Sequence, residues 1–282
     1  MPRRPARRRP SLRAMTRPPS RQKAPTPARP TTLALALACA VALAIGSGLI
    51  PQRAAASLDP TRHGAPTMPE PDAGPLLVHY FEAYLGDQDI EAFRLNVVAR
   101  YNEGSLSRLA RSPSPKARRA AVLALGLVGS IETNTAVARS LRDSDATVRN
   151  LANSALWAIW FRADSAENNA TLEEVHDLNN RRRFAEAQAL ATRLIARAPK
   201  FAEVHNQRAI AHFFQGEFAK SEADCRRTLE LNPYHIGALA GLGQCYLRLD
   251  RRDEALATFR RALKLQPFSE GLRETVAALE AD

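Results

Sequence analysis

The stretch Gly237–Pro267, GALAGLGQCYLRLDRRDEALATFRRALKLQP, decides the fold, because it places Gly and Ala wherever one helix would have to lie tight against another. It closes on a proline that belongs to a series. Pro199, Pro233 and Pro267 are each separated by 34 residues, and a proline ring cannot continue a helix, so each one starts a turn that folds the chain back. A fixed period of this length is the mark of a stacked repeat.

Within the last period, Leu239, Leu242, Gly243, Tyr246, Ala255, Phe259, Ala262 and Pro267 sit at fixed offsets. This pattern resembles the tetratricopeptide repeat, a pair of antiparallel helices. The preceding period is a more polar version, with His205, Arg208, Ala209, His212, Ser221, Cys225, Thr228 and Pro233, and with Gly216 and Phe218 at its turn. In the first period Phe184, Ala187, Ala191, Leu194 and Pro199 fit a second helix, while Thr171, Glu174 and Val175 depart from the first-helix pattern. The resemblance implies that Gly243 and Ala255 face each other between two helices, that Ala262 meets the next helix, and that Tyr246 and Phe259 fill the wider gaps. Ser269 is positioned to N-cap a closing helix, with Glu270 and Glu274 near its positive end.

A second repeat lies upstream. SPSPKARRAAVLALGLV from Ser112 and DSDATVRNLANSALWAI from Asp143 superpose with an offset of 31, matching Arg118 to Arg149, Ala121 to Ala152, Ala124 to Ala155 and Leu125 to Leu156. This resembles the short bacterial HEAT-like repeat, in which a turn Asp and a helical Arg interlock neighbouring units. Asp143 and Asp145 are present, but Ser112 and Ser114 stand in the earlier unit, which predicts an incomplete ladder. PLLVHYFEAYLG and DIEAFRLNVVARY carry apolar residues at helical spacing and predict two further helices. Trp157, Trp160 and Phe161 are expected to plug the junction with the first tetratricopeptide helix.

Composition agrees with an all-α chain, being 45% hydrophobic but only 6% aromatic over 282 residues. The net charge of +11 is concentrated at one end. Residues 1–30 hold ten basic residues and no acid, whereas past Arg53 there are 29 of each sign. A neutral folded part has no general phosphate-binding field, so no nucleic-acid partner is expected. Residues 31–50 form an uncharged apolar run behind the basic tail, which predicts a signal sequence or transmembrane anchor with the tail left in the cytoplasm. Ala54 and Ala56 suit cleavage by a signal peptidase, so a retained anchor and an exported chain cut near Ala56 both stand. Met15 offers an alternative start. Residues 51–74 are Pro-rich and short of large apolar residues, and read as a disordered tether.

The expected organisation is therefore a disordered basic tail (1–30), signal or anchor (31–50), tether (51–74), HEAT-like helices (75–165) and a tetratricopeptide array with a capping helix (166–282), together an α-solenoid of stacked helical hairpins. No catalytic constellation, cofactor motif or metal-ligand spacing occurs, and the chain reads as a non-enzyme with no cofactor. His205 and His212 share a helical face but occupy packing positions. Cys225 and Cys245 read as buried thiols at apolar helical positions.

The resemblance implies that first helices line the concave side of the array. Projected onto this chain, its groove residues are Glu203, Asn206, Ile210 and Phe213 from the middle unit, with Ala240, Gln244, Leu247 and Arg248 from the last. Chaperone-type members clamp a carboxylate with basic side chains, and Ala240 and Gly241 stand at two of those positions, which disfavours that role. A mildly apolar, nearly neutral trough suits an amphipathic helix or extended peptide. The function expected is a protein-binding scaffold of the bacterial envelope. A spacer or self-assembling homo-oligomer without a peptide ligand is the alternative, and a cytoplasmic regulator is a third reading.

Overall fold

The computed structural model describes residues 75–281, which form thirteen α-helices, a short 3-10 turn at Ile131–Thr133 and no strand. The tail, apolar run and tether expected within residues 1–74 lie outside the described residues. In chain order the helices are α1 (Leu76–Asp87), α2 (Ile90–Arg100), α3 (Glu103–Leu109), α4 (Pro115–Val128), α5 (Asn134–Ser140), α6 (Ala146–Phe161) and α7 (Ala166–Asn180). They continue with α8 (Phe184–Arg197), α9 (Ala202–Phe214), α10 (Phe218–Leu231), α11 (Ile236–Arg248), α12 (Arg252–Leu265) and α13 (Glu270–Ala281). Among the described residues no helix is long and apolar enough to cross a membrane.

Neighbours in sequence pair as antiparallel hairpins, and the hairpins stack into a helical solenoid. Helices α7/α8, α9/α10 and α11/α12 are the three 34-residue units, and α13 closes the end against α12. Although its first helix departs from the expected pattern, the first unit forms because Leu172 and Val175 still supply a fully buried stripe on α7.

The period is most exact in the turns. Arg182, Gly216 and Asp250, spaced 34 apart, are the left-handed residues of the three units, at φ of 60°, 79° and 58°. The next amide in each case donates to the carbonyl five residues back: Arg183 to Leu178 at 2.8 Å, Glu217 to His212 at 2.9 Å and Arg251 to Tyr246 at 2.8 Å. This is a Schellman helix stop, and glycine occupies its costly position only in the middle unit.

The upstream repeat is built differently, with side-chain caps. Ser114 Oγ accepts from the Ala117 amide at 3.4 Å, and Asp145 Oδ1 accepts from the Val148 amide at 3.0 Å. Arg118 donates to the Ser112 and Pro113 carbonyls of its own turn, and Arg149 does the same to Asp143 and Ser144 one unit later. The units interlock where Arg118 holds Asp143 with two bonds of 2.8 Å and Arg119 holds Asp145. One rung of the expected ladder thus exists, and beyond it the Arg149 guanidinium lies 4.2 Å from the centre of the Phe268 ring.

Small residues set the approach distances. A Cβ on Gly126 would lie 2.9 Å from that of Ala155, so α4 and α6 meet nearly backbone to backbone. Gly243 works differently from expectation: the nearest atoms to its missing Cβ belong to the Phe259 ring, at 2.6–2.8 Å, rather than to Ala255. It makes room for an aromatic ring.

Arg182→Gly relieves a left-handed backbone and should raise stability by about 1 kcal/mol in urea unfolding, with an unchanged or lowered midpoint counting against the turn geometry. The Arg119 hydrogen bonds lead the causes that lower the Asp145 carboxyl from its ordinary 3.8 to about 2. A depressed acid stabilises above its unfolded value, so this contribution should be complete above about pH 4 and fade as pH falls to about 2. Comparing thermal midpoints of wild type and Asp145→Asn across that window checks the sign, since their difference should shrink toward pH 2.

Candidate functional site: the inner face of the three hairpins

Helices α7, α9 and α11 lie side by side and form the inner face of the repeat array. Its amino-terminal half is occupied by the chain itself. Helix α6 rests against α9 and against the start of α11, where the Trp157 ring sits 2.7 Å from the Cβ that Gly237 lacks. Trp160 stacks on His235 with centroids 4.1 Å apart and planes 20° from parallel, and Trp157 meets the same imidazole edge-on at 5.5 Å. Of the three rings expected at the junction, Phe161 packs on His176 of α7, whereas the two tryptophans reach past the first repeat to the turn before α11.

A buried polar chain fixes this contact. His235 Nδ1 accepts the Ala238 amide hydrogen at 3.0 Å and so caps α11, which leaves its Nε2–H to donate to Glu203 Oε2 at 2.6 Å. Both side chains are fully buried. The other carboxylate oxygen of Glu203 accepts from Asn206 at 2.9 Å and Gln207 at 2.8 Å. Beside it, Trp160 Nε1 donates to Asn134 Oδ1 and Asn134 Nδ2 donates to Asn232 Oδ1, each at 2.8 Å. The Glu203 side chain is held in so buried a place because three donors aim at it.

This arrangement divides the eight projected groove residues. Glu203 and Asn206 are only 1% and 3% exposed and serve the interior, not an open trough, because α9 turns them toward His235. Ala240 borders a cleft of about 480 Å³ between α6 and the last unit. Gln244 is nearly buried, Ile210, Phe213 and Leu247 are half-buried, and Arg248 is exposed.

The open, carboxyl-terminal half of the face is aromatic. Phe184 and Phe214 stack at 4.9 Å, Phe214 meets Phe213 edge-on at 5.8 Å, and Phe213 meets Phe218 at 5.3 Å. The Arg248 guanidinium then lies 4.4 Å above Phe218 and 5.8 Å from Phe213. Side chains of three consecutive hairpins thereby make one continuous surface. The sequence pattern placed Phe213 and Arg248 in the groove and Phe184 and Phe218 within the repeat, but gave no sign that Phe214 joins them in one surface beside the turns.

The histidines expected to pack do so. His205 and His212 are buried on either side of Asp224, at 3.8 and 3.7 Å, and Arg208 grips that carboxylate with two bonds of 2.8 and 2.7 Å. Burial works to raise the Asp224 carboxyl, but the Arg208 bonds prevail and hold it below its usual range. No group of three or more metal-ligating side chains occurs among the described residues. Cys225 and Cys245 are both free and buried, with the Cys245 thiol 3.1 Å from Ser221 Oγ.

Residues 200–267 match the tetratricopeptide repeat family model. A TPR repeat-containing protein of Rhizobium etli is 28% identical over 120 residues, which covers 43% of this chain and 59% of that relative. The chain thus spans less than two thirds of that relative's length. Among solved structures, a thermophilic TPR protein of Thermus thermophilus is 22% identical at a TM-score of 0.33, covering 73% of this chain and 96% of that one. The first TPR of Spaghetti (RPAP3), bound to an HSP90 peptide, is 23% identical at 0.40 and covers 42% and 94%. Tetratricopeptide repeats generally mediate protein–protein interactions.

Removing His235 would strand a buried carboxylate and uncap α11. His235→Ala should therefore cost about 3–5 kcal/mol in urea unfolding, while Glu203→Gln, which still accepts the imidazole hydrogen, should cost clearly less. Equal costs would show that the pair does not carry the contact.

Proposed function

We propose that the chain is a non-catalytic scaffold of the bacterial envelope that holds a protein or peptide partner on the open half of its inner face. Residues 31–50 would tether it to the membrane, or export it if cleavage follows near Ala56. The observation that carries the reading is the unbroken run Phe184, Phe214, Phe213, Phe218 and Arg248, in which Phe214 remains 41% exposed. Rigid rings on adjacent hairpins offer apolar area at little entropic cost, and Arg248 can receive a partner carboxylate at the edge of that area. An amphipathic helix or extended segment with an acidic residue fits this chemistry. The upstream HEAT-like unit, on this reading, supplies a rigid mount through α6.

Self-assembly is the second reading, and one observation favours it. On the first hairpin Leu85, Leu95 and Val98 are 53–56% exposed. Light scattering over a range of concentrations separates the readings, since a constant monomer mass rules assembly out.

For the leading proposal, affinity capture with the full chain and with a Phe213→Asp, Leu247→Asp variant is the test. The variant should stay folded by circular dichroism and lose the partner. Equal recovery of every captured protein by both chains would reject the surface.

A further inference from the structure

We infer that the cleft between α6 and the last unit binds an extended peptide segment of a partner protein, with an acidic side chain of that segment held by the Arg149 guanidinium. This is a second site, separate from the aromatic run of Phe184, Phe214, Phe213 and Phe218.

The upstream repeat shows what this arginine is shaped to hold. Arg118 uses Nη1 for two carbonyls of its own turn, and its other edge, Nε and Nη2, takes both oxygens of Asp143 at 2.8 Å. Arg149, its counterpart one unit later, makes the same turn bonds through Nη1, to the Asp143 and Ser144 carbonyls at 2.8 and 2.9 Å. Among the described residues, no carboxylate meets its Nε and Nη2 edge. The face of the guanidinium lies on Phe268 instead, and stacking of that kind leaves donors in the guanidinium plane available.

Arg149 lines the cleft of about 480 Å³, a volume that suits a small ligand or a few residues of peptide. Asn150, Asn153 and Trp157 continue that wall along α6, and Gln266 belongs to the opposite side. The side-chain amides of Asn150, Asn153 and Gln266 have no hydrogen-bond partner among the described residues, so each can offer a donor and an acceptor to a bound backbone. The lining holds one cation and no acid, which suits a negatively charged guest. Arg149, Trp157 and Ala240 are all half-buried, so the cleft is reached without any movement of the fold. Arg149 and Trp157 are eight residues apart, and such a separation is about 12 Å of helix, the span of about four extended residues. An acidic side chain at Arg149 therefore pairs with an apolar one three residues on, beside Trp157 and Ala240.

The probe is a set of amidated peptides, Asp-Xaa-Xaa-Leu with Xaa uncharged, carrying a neutral BODIPY label and titrated by anisotropy against the full chain. Members of the set should bind saturably, and their Asn-Xaa-Xaa-Leu counterparts should bind about tenfold more weakly or worse. Arg149→Lys keeps the charge but loses the fork, and should weaken the Asp peptides by a similar factor. Ala240→Leu fills the cleft without touching Arg149 and should abolish binding. The Phe213→Asp, Leu247→Asp variant should bind as wild type does, so failure of the aromatic surface and failure of this site are distinguishable. No saturable binding to the folded chain, equal affinity for the Asp and Asn peptides, or binding that survives Ala240→Leu would overturn the inference. If Arg149→Lys does not fold, the Asp–Asn comparison and Ala240→Leu decide.

Discussion

The His235 ring is the point on which the structure turns. One nitrogen caps α11, the other donates to a buried carboxylate on α9, and the face stacks on a tryptophan from α6. Three helices that are distant in sequence thereby share one side chain. Burying a carboxyl group is costly, and the Glu203 site is tolerable because His235, Asn206 and Gln207 all aim donors at it. Loss of any one member leaves the others unsatisfied, so the contact forms as a unit.

That constraint shapes the inner face. Because α6 covers the half of the face that carries Glu203 and Asn206, the surface left open is the turn side, where the second helices begin and the phenylalanines gather. The core clusters reflect the same closure. The cluster built from α1–α6 takes in Ile236 and is packed by Tyr234 and Leu265 from the last units, so the upstream helices and the array share apolar contacts across the inner face.

Local rules made much of this legible. A proline every 34 residues, with Gly and Ala at helix contacts, was enough to specify the three hairpins, their order and the closing helix. Arg118 and Asp143 were visible as members of an interlocking pair, and the bond forms one unit apart. The role of Gly243 was misread because spacing shows which positions must be small, not which neighbour needs the space. Docking of α6 was invisible for a deeper reason: Trp160 and His235 lie 75 residues apart, and periodicity within a repeat carries no information about contacts that reach outside it. The groove projection inherited that blindness and assigned Glu203 and Asn206 to an open surface.

The His235 ring is held between the Glu203 carboxylate and the Trp160 indole, with Nδ1 accepting the Ala238 amide hydrogen. Long-range proton–nitrogen NMR of the histidine rings in the full chain tests it most directly. The expected result is a hydrogen on His235 Nε2 that is protected from solvent exchange and shows nuclear Overhauser contacts to the Trp160 indole. A rapidly exchanging imidazole with no indole contact would contradict it.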